Sequence, residues 1–260
     1  VEKYSKQDQK VLKKTGSPKN NIESETLIVD GGSYVAKISN LAGGSIFSFN
    51  LKKHLKRSEE SLGLIDNQNK KNLVVSFINQ SGEVVVLDEL WSIVSGGSVV
   101  LSEENSSSSM VFETAYMGQP VTKKLTFYYN SYEVDVDVSL REIKESSLDE
   151  KYILSWVGGL PEHEGSQDAM FMEGLVSQVG SIESFRVGSA GFFGSSNTKS
   201  ISEETKKYIG LVDFAGYRTK YFGVFFVPQK SDMVELYKYP SLSRAGVDIN
   251  ITQDINLEKN

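Results

Sequence analysis

The chain is organised as short runs of apolar residues that alternate with polar ones over most of its length. From Thr26 onward these runs are rich in Val, Ile, Phe and Tyr, and Gly, Asn and Ser separate them. Almost no stretch keeps the 3.6-residue period of an amphipathic helix. The pattern therefore predicts an all-β fold of antiparallel sheets with little helix.

The strand predictions follow from these runs. In chain order the predicted strands are 26–30, 34–39, 45–51, 73–78, 83–87, 90–94, 98–101, 110–116, 121–129, 132–140, 170–178, 182–185, a pair within 208–228, 233–237 and 247–251. Asn130 and Ser131 are predicted to form a two-residue hairpin turn, and the serine-rich run 103–109 a mobile surface loop. In 133–140 the alternation is strict, which predicts valines facing a core and carboxylates facing water.

The densest aromatic and β-branched run is 208–228, and it is predicted to form a pair of strands buried on both faces. Within it, Phe222, Phe225 and Val227, or their immediate alternates, are predicted to be buried. Gly216 divides the run. A glycine there predicts a bulge, a tight bend or the close approach of another segment.

Three segments, in the same order along the chain, resemble recurrent segments of the large periplasmic domain of bacterial YidC membrane protein insertases. They are 39–53 with Gly43 and Gly44, 156–161 with Trp156 and Gly159, and 213–228 with Phe214, Gly216, Tyr221 and Phe222. That family usually has Trp at the position of Phe214 and often an aromatic residue at that of His54. Phe214 keeps the aromatic ring but lacks the indole donor.

The resemblance implies a β-supersandwich, similar to sugar mutarotases and carbohydrate-binding sandwiches, over residues 23–260. It implies a domain in the periplasm that is attached to the bacterial inner membrane by helices absent from this chain. The implied partners are the Sec translocon with its accessory subunits and nascent membrane proteins. Residues 1–22, rich in Lys, Gln, Ser and Asn, are predicted to be a flexible polar linker after an absent membrane helix.

Composition and missing motifs argue against several classes of function. The formal net charge of −6 argues against a nucleic-acid partner, because phosphate binding needs clustered Lys and Arg. The chain has no cysteine, so it has no disulfide, thiol nucleophile or Cys-ligated zinc. The patterns of nucleophile elbows, dinucleotide loops and P-loops are missing, and no cofactor or metal is predicted.

Candidate acid and base residues all have a simpler interpretation. His54 and His163 are the only histidines, and both lie in polar contexts typical of exposed loops. The cluster 162–164, Glu-His-Glu, is interpreted as surface charge. Asp135 and Asp137 are interpreted as residues on the solvent-facing side of a strand. These interpretations predict a domain that is not an enzyme.

Two functional hypotheses remain open at this stage. The first is a non-catalytic insertase domain, for which Phe192 and Phe193 are the predicted partner contact because the glycine- and serine-rich segment 188–198 offers them little local burial. The alternative is a carbohydrate-binding or aldose-epimerase-like β-sandwich. That alternative requires a groove lined by exposed aromatic and paired polar residues.

Overall fold

A computed structural model describes residues 22–55, 61–66, 71–161, 171–187, 204–239 and 246–255. Within these residues the chain forms four sheets and one short 3-10 helix, Arg141–Ser146, which confirms the all-β prediction. The predicted linker lies outside the described residues except for Ile22.

The strands, in chain order, are β1 (Thr26–Asp30), β2 (Tyr34–Ser39), β3 (Ser45–Leu55), β4 (Ser61–Asp66), β5 (Val74–Ile78), β6 (Val84–Leu87), β7 (Ser92–Ser95), β8 (Val99–Val100), β9 (Ser107–Tyr116), β10 (Gln119–Tyr128), β11 (Val134–Ser139), β12 (Lys151–Trp156), β13 (Glu173–Gln178), β14 (Ser181–Arg186), β15 (Glu204–Ile209), β16 (Phe214–Arg218), β17 (Gly223–Phe226), β18 (Met233–Tyr239) and β19 (Gly246–Asp254).

The sheets are named here by their strand order: sheet A is β4-β3-β2-β1-β8, sheet B is β11-β10-β9-β7, sheet C is β15-β18-β19-β12-β5-β6, and sheet D is β14-β13-β16-β17. Sheet A packs on sheet B, since Gly44 after β2 faces Phe112 and Leu125. Sheet D packs on sheet C, since Gly174 of β13 lies against Leu236 and Val247. One continuous apolar core extends through both pairs of sheets, as expected for a fold built from two β-sandwiches.

Strict alternation predicts the local structure well. Strands β1 and β2 have the predicted bounds, and their inward residues form part of the core. In β11, Val134, Val136 and Val138 pack against the core, whereas Asp135 is exposed. The period of two therefore fixes which face of each of these strands is buried.

The predicted two-residue turn at Asn130 and Ser131 is wrong. Strands β10 and β11 do form a hairpin, but their last pair is Phe127 with Val134, so the loop is longer. Its path is set by tertiary contacts, because the Asn130 amide donates to the Gly31 carbonyl oxygen at 2.8 Å. The tight hairpin lies between β9 and β10, at Met117 and Gly118.

The serine-rich loop prediction is also wrong for part of its range. Strand β9 begins at Ser107, and its serines pair with the end of β10. The Ser109 hydroxyl lies 2.9 Å from the Thr126 hydroxyl, so the two side chains hydrogen-bond across the strands. Pairing with a strong neighbouring strand here overrides the weak β-propensity of serine. Strand β4 was not predicted.

The segment 208–228 is not a pair of strands buried on both faces. It holds the end of β15, then β16 and β17, and β17 is an edge strand of sheet D. Its residues Phe222, Val224 and Phe226 pack against the core on the face toward sheet C. Phe225 and Val227 point outward and are 47% and 78% exposed. The alternates, rather than Phe225 and Val227, therefore face the core.

Gly216 lies inside β16 and is a site of close approach, one of the three predicted possibilities. It pairs directly with Phe225, and a Cβ atom on Gly216 would overlap the Phe225 ring. The ring also lies beside Phe214, with ring centroids 5.8 Å apart in an edge-on arrangement. Because Gly216 has no side chain, the Phe225 ring of β17 can lie against the backbone of β16.

We predict that Gly216→Val destabilises the fold, because the new side chain displaces the Phe225 ring. The free energy of unfolding should fall by about 1–3 kcal/mol, measured by urea denaturation. Gly97→Val is the matched control, since nothing lies within 4 Å of the added Cβ there, and its effect should stay within about 0.5 kcal/mol. Equal unfolding midpoints for Gly216→Val and the native chain would contradict the close approach.

Candidate functional site

The predicted partner contact lies outside the residues that the structure describes. Phe192, Phe193 and His163 lie outside the described residues, and only the backbone of His54 is described, within β3. The partner contact at Phe192 and Phe193 therefore stays a prediction.

The paired glycines form the turn between β2 and β3. Gly43 and Gly44 have φ angles of 70° and 102°, which L side chains rarely adopt. A Cβ on Gly43 would lie 2.5 Å from the Trp91 ring, and one on Gly44 would lie 2.7 Å from Phe112. This turn is packed into the core between sheets A and B and offers no surface to a ligand.

The second segment is also structural. Trp156 ends β12, is buried, and meets Phe226 edge-on with ring centroids 6.2 Å apart. Gly159 has a φ angle of 58°, and Leu160 after it is completely buried. The amide of Gly158 donates to the Asp248 carboxylate at 2.8 Å, which anchors this turn to β19.

The third segment contributes to both faces of sheet D. Gly216 and the partly buried Phe214 lie on the outer face, and Tyr221 is exposed in the turn before β17. Phe222 packs against the core. The three segments thus do not converge on one pocket: Gly43 and Gly44 belong to the first sheet pair, and the rest belong to the second.

Sequence reasoning missed Lys123, which is completely buried in β10. Its ammonium group donates to the carbonyl oxygens of Ala42 and Leu73, each at 2.5 Å, and lies 5.5 Å from the centre of the Trp91 ring. The alternation of Val121, Lys123 and Leu125 contains the signal, because it places the lysine on the core face of the strand.

Burial lowers the pKa of Lys123 to about 7. Lysines with such values are typical of catalytic amines, but this one is enclosed on all sides and cannot reach a substrate. Its two carbonyl partners belong to residues with left-handed backbone, Ala42 and Leu73, with φ angles of 52° and 54°. Lys123 therefore joins the turn after β2 to the start of β5.

Other titratable groups are paired in ways that favour structure over acid and base chemistry. The Tyr128 hydroxyl donates to the Asp135 carboxylate at 2.5 Å, and this bond raises the tyrosine pKa to about 12. Burial raises the pKa of Tyr34 to about 12. Among the described residues, no group of three or more His, Cys, Asp or Glu side chains is arranged to hold a metal ion.

The best candidate for a functional surface is the outer face of sheet D, the face turned away from sheet C. Large apolar side chains are exposed on it or in its turns, namely Phe171, Ile182, Tyr221, Phe225 and Val227. Strand register places Ile182 and Phe225 on the same face, because Ile182 pairs with Ser177, Ser177 with Phe214, and Gly216 with Phe225. Exposed apolar side chains that share one face of a sheet make that face a candidate interaction site.

We predict that Lys123 makes stability rise with pH above neutrality. Its folded-state pKa of about 7 lies below the unfolded value of 10.5, so the unfolded chain binds more protons between these values. Stability is therefore lost as pH falls from 10.5 toward 7, by up to about 1.4 kcal/mol per pH unit. Urea denaturation at pH 7, 8 and 9 should show this slope reduced in Lys123→Met. Lys124→Met, at the exposed neighbour, should keep the native slope; identical slopes in all three proteins would contradict the assignment.

The sequence profile of the YidC periplasmic domain matches residues 27–257. The chain is 25% identical over 213 residues to a membrane protein insertase YidC of Prosthecochloris aestuarii, a match that covers 79% of this chain and 34% of the relative. It is 26% identical over 215 residues to the insertases YidC of Chlorobaculum parvum and Chlorobaculum tepidum, covering 79% and 80% of this chain and 34% of each relative.

The chain thus spans about a third of the length of these curated relatives. In the part of the chain that the structure describes, no helix has the length and apolar character needed to cross a bilayer. The fold agrees with the resemblance drawn from the three sequence segments, and the profile covers nearly all of the described strands. The chain belongs to the YidC periplasmic domain family.

Proposed function

We propose that this chain serves as a non-catalytic periplasmic domain of a membrane protein insertase, held at the bacterial inner membrane by segments outside this sequence. In this role it aids insertion and folding of inner-membrane proteins through contacts with the Sec translocon and its accessory subunits, or with nascent substrate segments. It requires no cofactor.

The observation that carries this proposal is the extent of the family match. The profile covers residues 27–257, while the chain covers only 34% of relatives named membrane protein insertases. The remaining two thirds of those relatives lie outside the match. The domain is therefore best understood as one part of a larger protein, with binding surfaces of its own.

Local chemistry supports the non-catalytic part of the proposal. The amine with the most unusual pKa, Lys123, is enclosed and bonded to two backbone carbonyls. Asp135 accepts the Tyr128 hydroxyl and stands on the exposed side of β11. An acid and base pair for sugar chemistry needs two titratable groups in reach of one substrate, and neither of these groups meets that requirement.

A photo-crosslinking amino acid tests the partner contact. Placed at Phe192 or Phe193 in the intact membrane-embedded protein, it should yield crosslinks to Sec subunits or to nascent membrane proteins. The same probe at Met117, which is exposed at the tip of the β9–β10 hairpin, should yield few. Equal crosslinking from Met117 and Phe192 would remove the support for a specific contact.

The carbohydrate alternative predicts mutarotation that depends on the histidines, and our proposal predicts none. We expect the intact protein carrying His54→Ala and His163→Ala together to insert membrane proteins at the native rate, since neither histidine has a chemical role. We also expect no mutarotation of aldoses, followed by polarimetry, in either form. Mutarotation that is present in the native protein and lost in the double variant would establish an enzyme instead.

A further inference from the structure

Apolar side chains are exposed in the turns at one end of the second sheet pair, C and D. We call them the turn cluster: Val179 between β13 and β14, Ile209 and Leu211 between β15 and β16, and Val227 after β17. Their exposed fractions are 90%, 81%, 62% and 78%. Exposed apolar residues of this size that gather in one place mark an interaction site.

Hydrogen bonds hold the three turns against one another. The Gln178 side-chain amide donates to the Ile209 carbonyl oxygen at 3.2 Å and joins the first turn to the second. The Gly210 amide donates to the Asp232 carbonyl oxygen at 2.9 Å and joins the second turn to the third, 227–232. The turn cluster is therefore one surface, although its members come from separate parts of the chain.

The charged residues of these turns already have partners. Asp213 accepts two hydrogen bonds, Lys230 is paired with Asp254 at 3.1 Å, and Asp232 with Lys151 at 2.8 Å. A partner that is recognised by opposite charge meets no unpaired ionic group in the turns 179–180, 210–213 and 227–232. Recognition at this end of the domain therefore depends on apolar contact.

The shape of the turn cluster favours lipid over a protein segment. Its four side chains stand on three turns and are exposed over most of their surface, so they protrude. A helix needs a groove for its apolar face, and an added strand needs a free sheet edge. The acyl region below the lipid headgroups is fluid, so it accommodates protruding side chains in any arrangement.

The last strand of the domain ends beside the same turns. Strand β19 ends at Asp254, which is paired with Lys230 of the third turn, and the family profile ends at residue 257. In the proposed membrane-held protein, any segment that follows the domain therefore starts next to the turn cluster. A tether at this position gives the turns a high effective concentration at the bilayer, which makes weak apolar contacts sufficient.

We propose that the turn cluster enters the apolar side of the bilayer interface and so fixes the orientation of the domain on the membrane. The inference rests on the proposed function, because it requires a protein that is held at the membrane. It adds the lipid contact and the end of the domain that makes it. Since the contact is apolar, it needs no anionic lipid and resists salt.

Nitroxide labels on the intact protein, reconstituted in lipid vesicles, test the depth of these turns. The labels are attached to Val179→Cys and, separately, to Leu211→Cys. This sequence has no cysteine of its own, and any cysteine elsewhere in the protein is replaced. Electron paramagnetic resonance should show that both labels meet oxygen, which dissolves in lipid, and have lost access to a water-soluble nickel chelate.

The same label on Val100→Cys is the matched control. Val100 is an exposed valine of the same kind, 73% exposed on β8 of sheet A, and lies in the other sheet pair. Its label should keep full access to the chelate. Vesicles of phosphatidylcholine alone and vesicles with added phosphatidylglycerol should give the same result.

Aspartate substitutions in the turn cluster show whether lipid causes the shielding. Ile209→Asp with Val227→Asp should restore chelate access to the label at Leu211→Cys, because the interior of a bilayer does not accept the new carboxylates. Ile28→Asp with Val94→Asp places the same charges on exposed positions of sheets A and B and should leave the label shielded.

Three results would overturn the inference. The first is equal chelate access for the turn labels and the control label. The second is shielding that survives the aspartate substitutions in the turn cluster. The third is the same shielding in the 260-residue chain without lipid, which would indicate contact between copies of the chain.

The test is separate from the crosslinking experiment on the proposed function. A protein that stays in the vesicles and crosslinks to Sec or to nascent chains, while its turn labels remain open to the chelate, would keep the proposed function and overturn this inference alone. A protein that does not stay with the vesicles would overturn both.

Discussion

The arrangement of the first sandwich depends on one buried amine, that of Lys123. Lys123 reaches from β10 into the space between the sheets and bonds to the carbonyl oxygens of Ala42 and Leu73. A buried amine is costly unless its N–H groups are satisfied, and here two carbonyl oxygens accept hydrogen bonds from it while the nitrogen lies 5.5 Å from the centre of the Trp91 ring. Both carbonyls come from residues with left-handed backbone, so the amine and these two turns hold each other in place. The paired glycines Gly43 and Gly44 follow Ala42 in the same turn and are packed tightly against the rings of Trp91 and Phe112.

Alternation along the chain predicted the strands whose two faces differ clearly, such as β1, β2 and β11. It failed in two places for physical reasons. In 221–228 every residue is apolar or aromatic, so the sequence carries no period to say which face is covered, and the position of β17 at a sheet edge decides it. At Asn130 the loop path is set by the Gly31 carbonyl, about a hundred residues earlier in the chain, which local turn chemistry cannot anticipate.

The three recognisable segments identified the family but not a site. Packing explains the identities of Gly43, Trp156 and Gly216. A side chain on Gly43 or Gly216 would overlap an aromatic ring, and Trp156 fills a buried space. Residues with this role mark a fold, and fold alone does not transfer chemistry. The burial of Lys123 was within reach of sequence reasoning, since its apolar neighbours at every second position of β10 place it inward. The pairing of Glu173 with Arg186 and Arg218 was not, because three separate strands bring these residues together.

The two faces of sheet D are linked through a single glycine. On the inner face, Tyr217 and Phe226 pack toward sheet C and fix the register of β16 with β17. That register places the Phe225 ring directly over Gly216 on the outer face, beside the Phe214 ring. An exposed ring that is already positioned loses little conformational entropy when it meets a surface. Core packing on one side of the sheet therefore positions an exposed ring on the other side before any contact is made.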